Sequence, residues 1–586
     1  MTPKLRYDSL ALACLAAMLV PAMHVRAEEA PPPPPEPGTI ERAQEQRQLP
    51  TLPAPGAPEV TIVAPVPAYM GPNIPVRPKA FRFVGNKSIT ESELQSVVAP
   101  WVDKETDIAG LLEAAATLRQ YFAARGHVLT DVYLTQQDFA KEGGTVEFGV
   151  LEARIGKLNV TVAPGSGISQ SYAEALASKY LAGGDAITQG SLDRPLLLLR
   201  DLPGSEAEGT VSPGENPGES DVTIAVSPRP PRYRVYAGFD NMGERSAGQY
   251  RLALGLDVYA PFGIGDLFSA RVQGSDEGGN TLFRLGYGAA VGNTGTKLMA
   301  NFTRSDYSLG EQFQSLGSTG IARVGSLTAI EPLVRGRFTN VFATGALEYK
   351  ILNDNISTQI GSSGTKHDSL VRLGVLANHS DRVLAGGTTS VSASLSGGFL
   401  QLDPQSQAFD VGIPGFWGPR TAGNFAKFNL EAQRAQYFSQ QSSLLLGLTG
   451  QYASKNLTSA EKIGIGGPQG VRGYPIGEGI GDDGIQATIE YRYRVGWQVF
   501  GEDLSLTAFY DIGRIRRDHV RNATVLNAST TPNGETLDSA GVGFLIGRED
   551  NYVATFNVSS RIGGPLPTTG DPDSHARIWF QLQKWF

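Results

Sequence analysis

A Val471-Arg472-Gly473-Tyr474 run stands in a glycine-crowded stretch, and 39 residues after Arg472 comes Asp511, inside Phe509-Tyr510-Asp511-Ile512-Gly513. A guanidinium and a carboxylate form an ion pair if the chain brings them together. Read as a strand, residues 504–513 alternate: Leu504, Leu506, Ala508, Tyr510 and Ile512 on one face, Ser505, Thr507, Phe509, Asp511 and Gly513 on the other. The first face suits lipid, and the second carries the acid. An ionised Asp that points into a lumen wants a partner, because removing one member of a buried ion pair costs about 3 to 5 kcal/mol. Arg472, on a loop long enough to fold inward, is the candidate.

Other chemistry finds less support. Gly479-Ile480-Gly481-Asp482-Asp483-Gly484 matches a dinucleotide fingerprint in letters, but lacks the preceding strand and following helix that give the fingerprint its phosphate-binding geometry. It reads as a loop, with Asp482 and Asp483 as an acidic surface feature rather than a metal site. The six histidines are scattered, with no pair at ligand spacing. No nucleophile elbow or phosphate-binding loop occurs. Glu490 and Arg492 have the types of an acid and base pair, yet charges on a lumen wall are ordinary in barrels. No enzymatic activity, cofactor or metal is expected.

The elements that would position Arg472 and Asp511 are strands. From residue 230 to residue 586, a span of 357 residues, helical periodicity is absent. Tyr250, Leu252, Leu254, Leu256 and Val258 alternate with Arg251, Ala253, Gly255 and Asp257. Ile485, Ala487, Ile489, Tyr491, Tyr493 and Val495 alternate with Gln486, Thr488, Glu490, Arg492 and Arg494. Charges recurring opposite an apolar band signal a water-filled interior, whereas a soluble sandwich tends to place its charges outside. About 22 residues per strand and connection give roughly 16 strands. The chain closes on Ile578, Phe580, Leu582 and the aromatic Phe586, as the last strand of an outer-membrane barrel does.

Ahead of this region lie two small units with the order strand, helix, helix, strand, strand. In the first, Phe81, Phe83 and Val84 precede Gly85-Asn86, Thr90-Glu91-Ser92-Glu93 is a capping box, and Leu111, Leu112, Leu118, Tyr121 and Phe122 have helical spacing over residues 107–125. Strands are expected at 128–134 and 145–155. In the second, strands at 157–162, 209–212 and 221–227 enclose helices at 169–181 and 189–202. Residues 31–80, rich in proline, read as a semi-extended spacer. Lys4 and Arg6, an apolar run over residues 10–20 and Val25-Arg26-Ala27 read as an export signal. That run is shorter than the roughly 20 residues a membrane-spanning helix needs. Cys14, the one cysteine, falls within it, and a mature chain without thiols fits an oxidising compartment. Seventy glycines, six methionines and 41% apolar residues suit many short strands and turns. A net charge of -8 argues against nucleic-acid binding.

With these motifs the chain resembles two-partner secretion transporters, the TpsB class that joins POTRA modules to a sixteen-stranded barrel. Phe81-Arg82-Phe83-Val84-Gly85-Asn86 resembles the opening of the first POTRA module. Leu202-Pro203-Gly204, Pro213-Gly214 and Gly218-Glu219-Ser220-Asp221 are similar to the closing half of the second. Asp240-Asn241-Met242-Gly243 resembles the first barrel hairpin, and Val471-Arg472-Gly473-Tyr474 with Phe509-x-Asp511-x-Gly513 resembles the two signature motifs. The resemblance implies a mostly β protein: a signal at 1–27, a proline-rich linker at 28–78, POTRA modules at 79–154 and 155–229, and an outer-membrane barrel at 230–586. It implies that the Arg472 loop tucks into the lumen against Asp511, and that a helix before the linker occupies the pore, for which residues 39–49 are available. It further implies export of one large, extended, β-helical exoprotein through a monomeric pore, with the modules in the periplasm. A diffusive porin and a barrel-assembly insertase are the rival readings.

Overall fold

Strands that are apolar on one side and polar on the other leave no unpaired edge when their sheet closes on itself, and sixteen of them do so here. The computed structural model describes residues 58–62, 74–138, 144–216, 218–276, 279–356, 364–413, 416–521, 532–548, 551–569 and 575–586, all within one compact unit of residues 35–586. The expected signal and the segment 39–49 lie outside the described residues.

The barrel strands run in chain order: β1 Tyr233–Asp240, β2 Arg251–Tyr259, β3 Leu267–Ser275, β4 Asn280–Val291, β5 Thr296–Ser308, β6 Ser318–Arg335, β7 Thr339–Ile356 and β8 Gly364–Asp381. The second half holds β9 Gly387–Leu402, β10 Gly423–Tyr437, β11 Ser442–Ala453, β12 Asp483–Val499, β13 Glu502–Arg516, β14 Gly534–Arg548, β15 Tyr552–Gly563 and β16 Ala576–Trp585. Each pairs antiparallel with the next, and β1 pairs with β16 to close the ring. The terminal Phe586 extends that seam: its N–H donates to the Val235 carbonyl at 2.8 Å. Leu254, Val272, Leu347, Leu373, Ile489 and Leu506, on six different strands, are all exposed on the outer face. A ring of apolar side chains on that scale is too large for a water-facing surface and fits a hydrocarbon belt.

The two modules precede β1. In the first, helices α1 (Glu91–Val98) and α2 (Ile108–Ala124) pack on a three-stranded sheet in which Thr145–Glu152 lies between Ala80–Val84 and Thr130–Leu134. Phe81, Leu94, Leu111, Leu118, Phe122 and Phe148 fill its core. The capping box forms as read, with Thr90 and Glu93 bonded reciprocally at the start of α1. In the second, α3 (Gln170–Tyr180) and α4 (Gln189–Arg200) pack on Arg154–Val162, Ser205–Pro213 and Glu219–Pro228.

Two expectations need correction. The strand read at 145–155 is two strands that break at Ala153, and Arg154 begins the second sheet. The apolar positions change phase at Val150-Leu151, from Val146, Phe148 and Val150 to Leu151, Ala153 and Ile155, but no glycine or proline stands between Val150 and Ile155, so the run reads as one strand. The spacer is not featureless either, because Val60–Ile62 forms a strand that pairs parallel with Ser205–Pro213. Val60 packs against the second module's core. Three residues among prolines are too few to show a periodicity.

The second module docks on the barrel end where the connections are short. Asp201, at the end of α4, makes a two-pronged ion pair with Arg335 at 2.7 and 2.8 Å. Asp193 pairs likewise with Arg337, and Arg194 donates to the carbonyls of Pro332 and Leu333.

Candidate functional site

The connection between β11 and β12 comes from the end opposite the modules and folds back into the lumen. Its descending part ends in a short helical turn, Ser459–Glu461, and its tip carries Val471 to Tyr474. Ile463, Ile465, Val471 and Tyr474 of the loop pack with Ile515 of β13 and Leu537 of β14. Apolar packing against the wall therefore sets the tip at a fixed depth, with Val471 and Tyr474 fully buried.

Arg472 is thereby presented to the inner faces of β12 and β13. Its Nε and Nη2 donate to the two carboxylate oxygens of Asp511, each at 2.9 Å, and its backbone N–H reaches Asp511 at 3.2 Å. Nη1 donates to Glu490 at 2.6 Å and Nη2 to the Thr488 hydroxyl at 3.2 Å. The guanidinium carbon lies 3.3 Å from the centroid of the Phe509 ring, a cation–π contact. Asp511 is 1% exposed and Arg472 7%, so the pair is shielded from water and from salt. Thr488 stands directly opposite Asp511 across the strands and bonds to it.

The loop backbone is fastened as firmly as the side chain. The Arg472 carbonyl accepts from the Ser559 hydroxyl at 2.6 Å and from the Trp579 indole at 2.8 Å, and the Gly473 N–H donates to Ser539 at 3.0 Å. A Cβ on Gly473 would stand 2.6 Å from the Ser539 Cβ, and one on Gly513 would stand 2.9 Å from Ile465 Cδ1. Both glycines thus keep room for a close approach of loop and wall. The Tyr474 hydroxyl donates to the Gly563 carbonyl at 2.8 Å. Beyond the tip, the Glu478 carboxylate accepts from the backbone and hydroxyls of Thr568 and Thr569.

The structure therefore brings Val471, Arg472, Gly473, Tyr474, Phe509, Asp511 and Gly513 into one cluster, with Phe586 apart at the seam. Glu490 belongs to the cluster as well, bridging Arg472 and Arg492, although the sequence marks it only as one of several inward charges. Thr488, Ser539, Ser559 and Trp579 carry no motif. Asp482 and Asp483 are not a surface feature: both are buried. Lys462 pairs with Asp482, and Arg516 with Asp483. The inward fold of the loop takes them under its root, which residue spacing does not reveal.

Residues 218–532 match the family described as haemolysin secretion/activation protein ShlB/FhaC/HecB, and residues 76–153 match the ShlB-type POTRA domain. The chain is 24% identical over 557 residues to the heme/hemopexin transporter protein HuxB of Haemophilus influenzae, which covers 94% of this chain and 95% of that protein. Among solved structures, CdiB from Escherichia coli aligns with a TM-score of 0.66 at 19% identity, covering 89% of this chain and 93% of that one. CdiB from Acinetobacter baumannii aligns at 0.59 and 16% identity, over 93% and 96%. At these identities the structural likeness concerns the fold.

Proposed function

This chain belongs to the ShlB/FhaC/HecB family of haemolysin secretion/activation proteins, and from that premise we propose how its parts divide the work of export. The protein is an outer-membrane two-partner secretion transporter, with its POTRA modules in the periplasm and its barrel as the conduit for a secreted exoprotein. In our reading the cargo is one large, extended, β-helical chain, an adhesin or haemolysin, that passes through a single monomeric barrel held in lipid. The modules capture it, the barrel conducts it, and the Arg472 loop holds a wall-bound conformation that transport requires. The reading involves no catalysis and no cofactor.

Main-chain pairing supports the capture step, since an unfolded segment can add to a sheet edge. The outer strands of the first module, Ala80–Val84 and Thr130–Leu134, offer such edges. In the second module one edge is already taken by Val60–Ile62, so we assign capture there a lesser part. Export then draws its bias from cargo folding outside. A cargo held unfoldable should stall in the pore, and its unimpeded release would count against this source of bias.

The observation that carries the proposed role of the loop is the desolvated contact of Arg472 with Asp511 and Glu490. Replacing Arg472 or Asp511 by Ala is expected to abolish secretion while leaving the barrel inserted and heat-modifiable on gels. Wild-type secretion from both variants removes the lock from the proposal.

A further inference from the structure

The Arg472 loop is held at a second place, on the other side of its root. Glu461 closes the turn Ser459–Glu461 and is fully buried, as is Lys350 of β7 at 1% exposure. One Glu461 carboxylate oxygen lies 3.1 Å from Lys350 Nζ, and the other lies 2.6 Å from Lys427 Nζ of β10. The Glu461 backbone carbonyl accepts from Lys427 at 3.2 Å and from the Gln451 amide at 2.9 Å. Next to it, Ala460 packs against Ala322 of β6 and Leu352 of β7.

These partners lie on β6, β7, β10 and β11, whereas the side chain of Arg472 meets β12 and β13. Lys350 stands directly opposite Asp368 of β8, and Lys350 also touches Glu348 of its own strand. The inner wall thus carries two buried ammonium groups together with its own acids, and the loop inserts one further carboxylate between the ammoniums. Among the described ion pairs Lys427 meets Glu461, so a buried ammonium of the wall takes its counter-charge from the loop, and losing that acid is costly to both wall and loop.

We propose that Glu461 is a second anchor of the lumen loop, a positioning residue that holds the descending limb against β7 and β10 independently of the Arg472 tip. The tip and the descending limb are then fastened to different parts of the wall. Cargo passage that displaces the loop must break both fastenings. The inference rests on the reading that this loop is a working part of transport, but its test measures loop position alone and so separates the two.

The full-length protein has one cysteine, Cys14, and Cys14→Ser makes an introduced thiol the sole site of labelling. Ala460→Cys reports on the limb and Val471→Cys on the tip, each being buried. In purified, heat-modifiable protein, Glu461→Gln is expected to raise maleimide labelling at position 460 by roughly tenfold or more and to leave position 471 slow, because a buried thiol reacts only when its segment opens. Labelling at 460 within about twofold of the parent overturns the proposal, and so does a rise at 471 without one at 460. If Glu461→Gln yields no heat-modifiable barrel, Lys427→Met breaks the same link from the wall. An unchanged rate at 460 in that variant overturns the proposal equally.

Discussion

Arg472 uses three of its guanidinium nitrogens on Asp511, Glu490 and Thr488 while its plane covers the Phe509 ring. A lysine keeps the charge but is a single point, without the planar fork that serves two carboxylates at once. Arg472→Lys is therefore expected to lose most of the secretion that Arg472→Ala loses, roughly tenfold or more, with the lost contacts drawn from a pair whose breaking costs about 3 to 5 kcal/mol. Exported cargo in the medium, set against barrel in the membrane, measures it; full secretion from the Lys variant means that charge alone suffices. Gly513 gives a steric counterpart. A Val side chain there would push on Ile465 and Val471, whose carbons already stand 2.9 to 3.3 Å from a built Cβ, so Gly513→Val should free the tip without touching any charge. At this scale the sequence was partly legible. Strand alternation placed Asp511 on the inner face and loop length made Arg472 its partner, because both facts depend on local pattern. Ser559 and Trp579 were not legible, since what they bind is the Arg472 carbonyl, and its position exists only once the loop has folded.

Helices and strands were legible where a periodicity runs long enough. The capping box at Thr90, the apolar stripe of α2 and the dyad patterns of β2, β12 and β13 all gave their elements, with bounds off by a few residues. What failed was short or non-local: the break at Ala153 and the strand Val60–Ile62. Two element joints make predictions. Glu152, at the end of its strand, accepts from the Lys87 and Ser88 N–H groups at 2.9 Å each and from the Ser88 hydroxyl. Burial pushes its carboxyl up, but these hydrogen bonds outweigh burial and hold it below the ordinary 4.5. A carboxyl depressed in the folded state adds stability that is complete above the unfolded value and is lost as pH falls through the folded one. Amide protection around residues 86–90, taken relative to the intrinsic exchange rate at each pH, should therefore fall below about pH 4.5, and Glu152→Gln should flatten that dependence. Val60→Asp, which sets a charge against the second module's core, should release the linker strand. Faster cleavage of the spacer in limited proteolysis would register its release, and an unchanged rate would mean that main-chain pairing alone holds it.

The whole molecule is a membrane cylinder whose lumen loop enters from one end and whose last module is docked at the other. Composition and alternation made the cylinder legible, because closure is the one way for such strands to satisfy every backbone group in lipid. The docking was not legible: Asp201 and Arg335 are 134 residues apart, and neither falls in a motif. Yet this pair, with Asp193 and Arg337 beside it, fixes the second module against the barrel end, where in our proposal cargo enters. Asp201 and Arg335 are both nearly buried, so either charge left alone pays the full cost of desolvation. Arg335→Asp opposes two carboxylates and should undock α4, reducing secretion by roughly tenfold. Adding Asp201→Arg restores an ion pair of reversed sense and should recover part of the loss. Residues in direct contact show coupling of about 0.5 to 3 kcal/mol in such cycles, whereas independent sites simply add. Secretion from the two single variants and the double variant therefore decides the matter. Recovery in the double variant means that module orientation limits export, and additive losses mean that cargo crosses irrespective of how the second module is held.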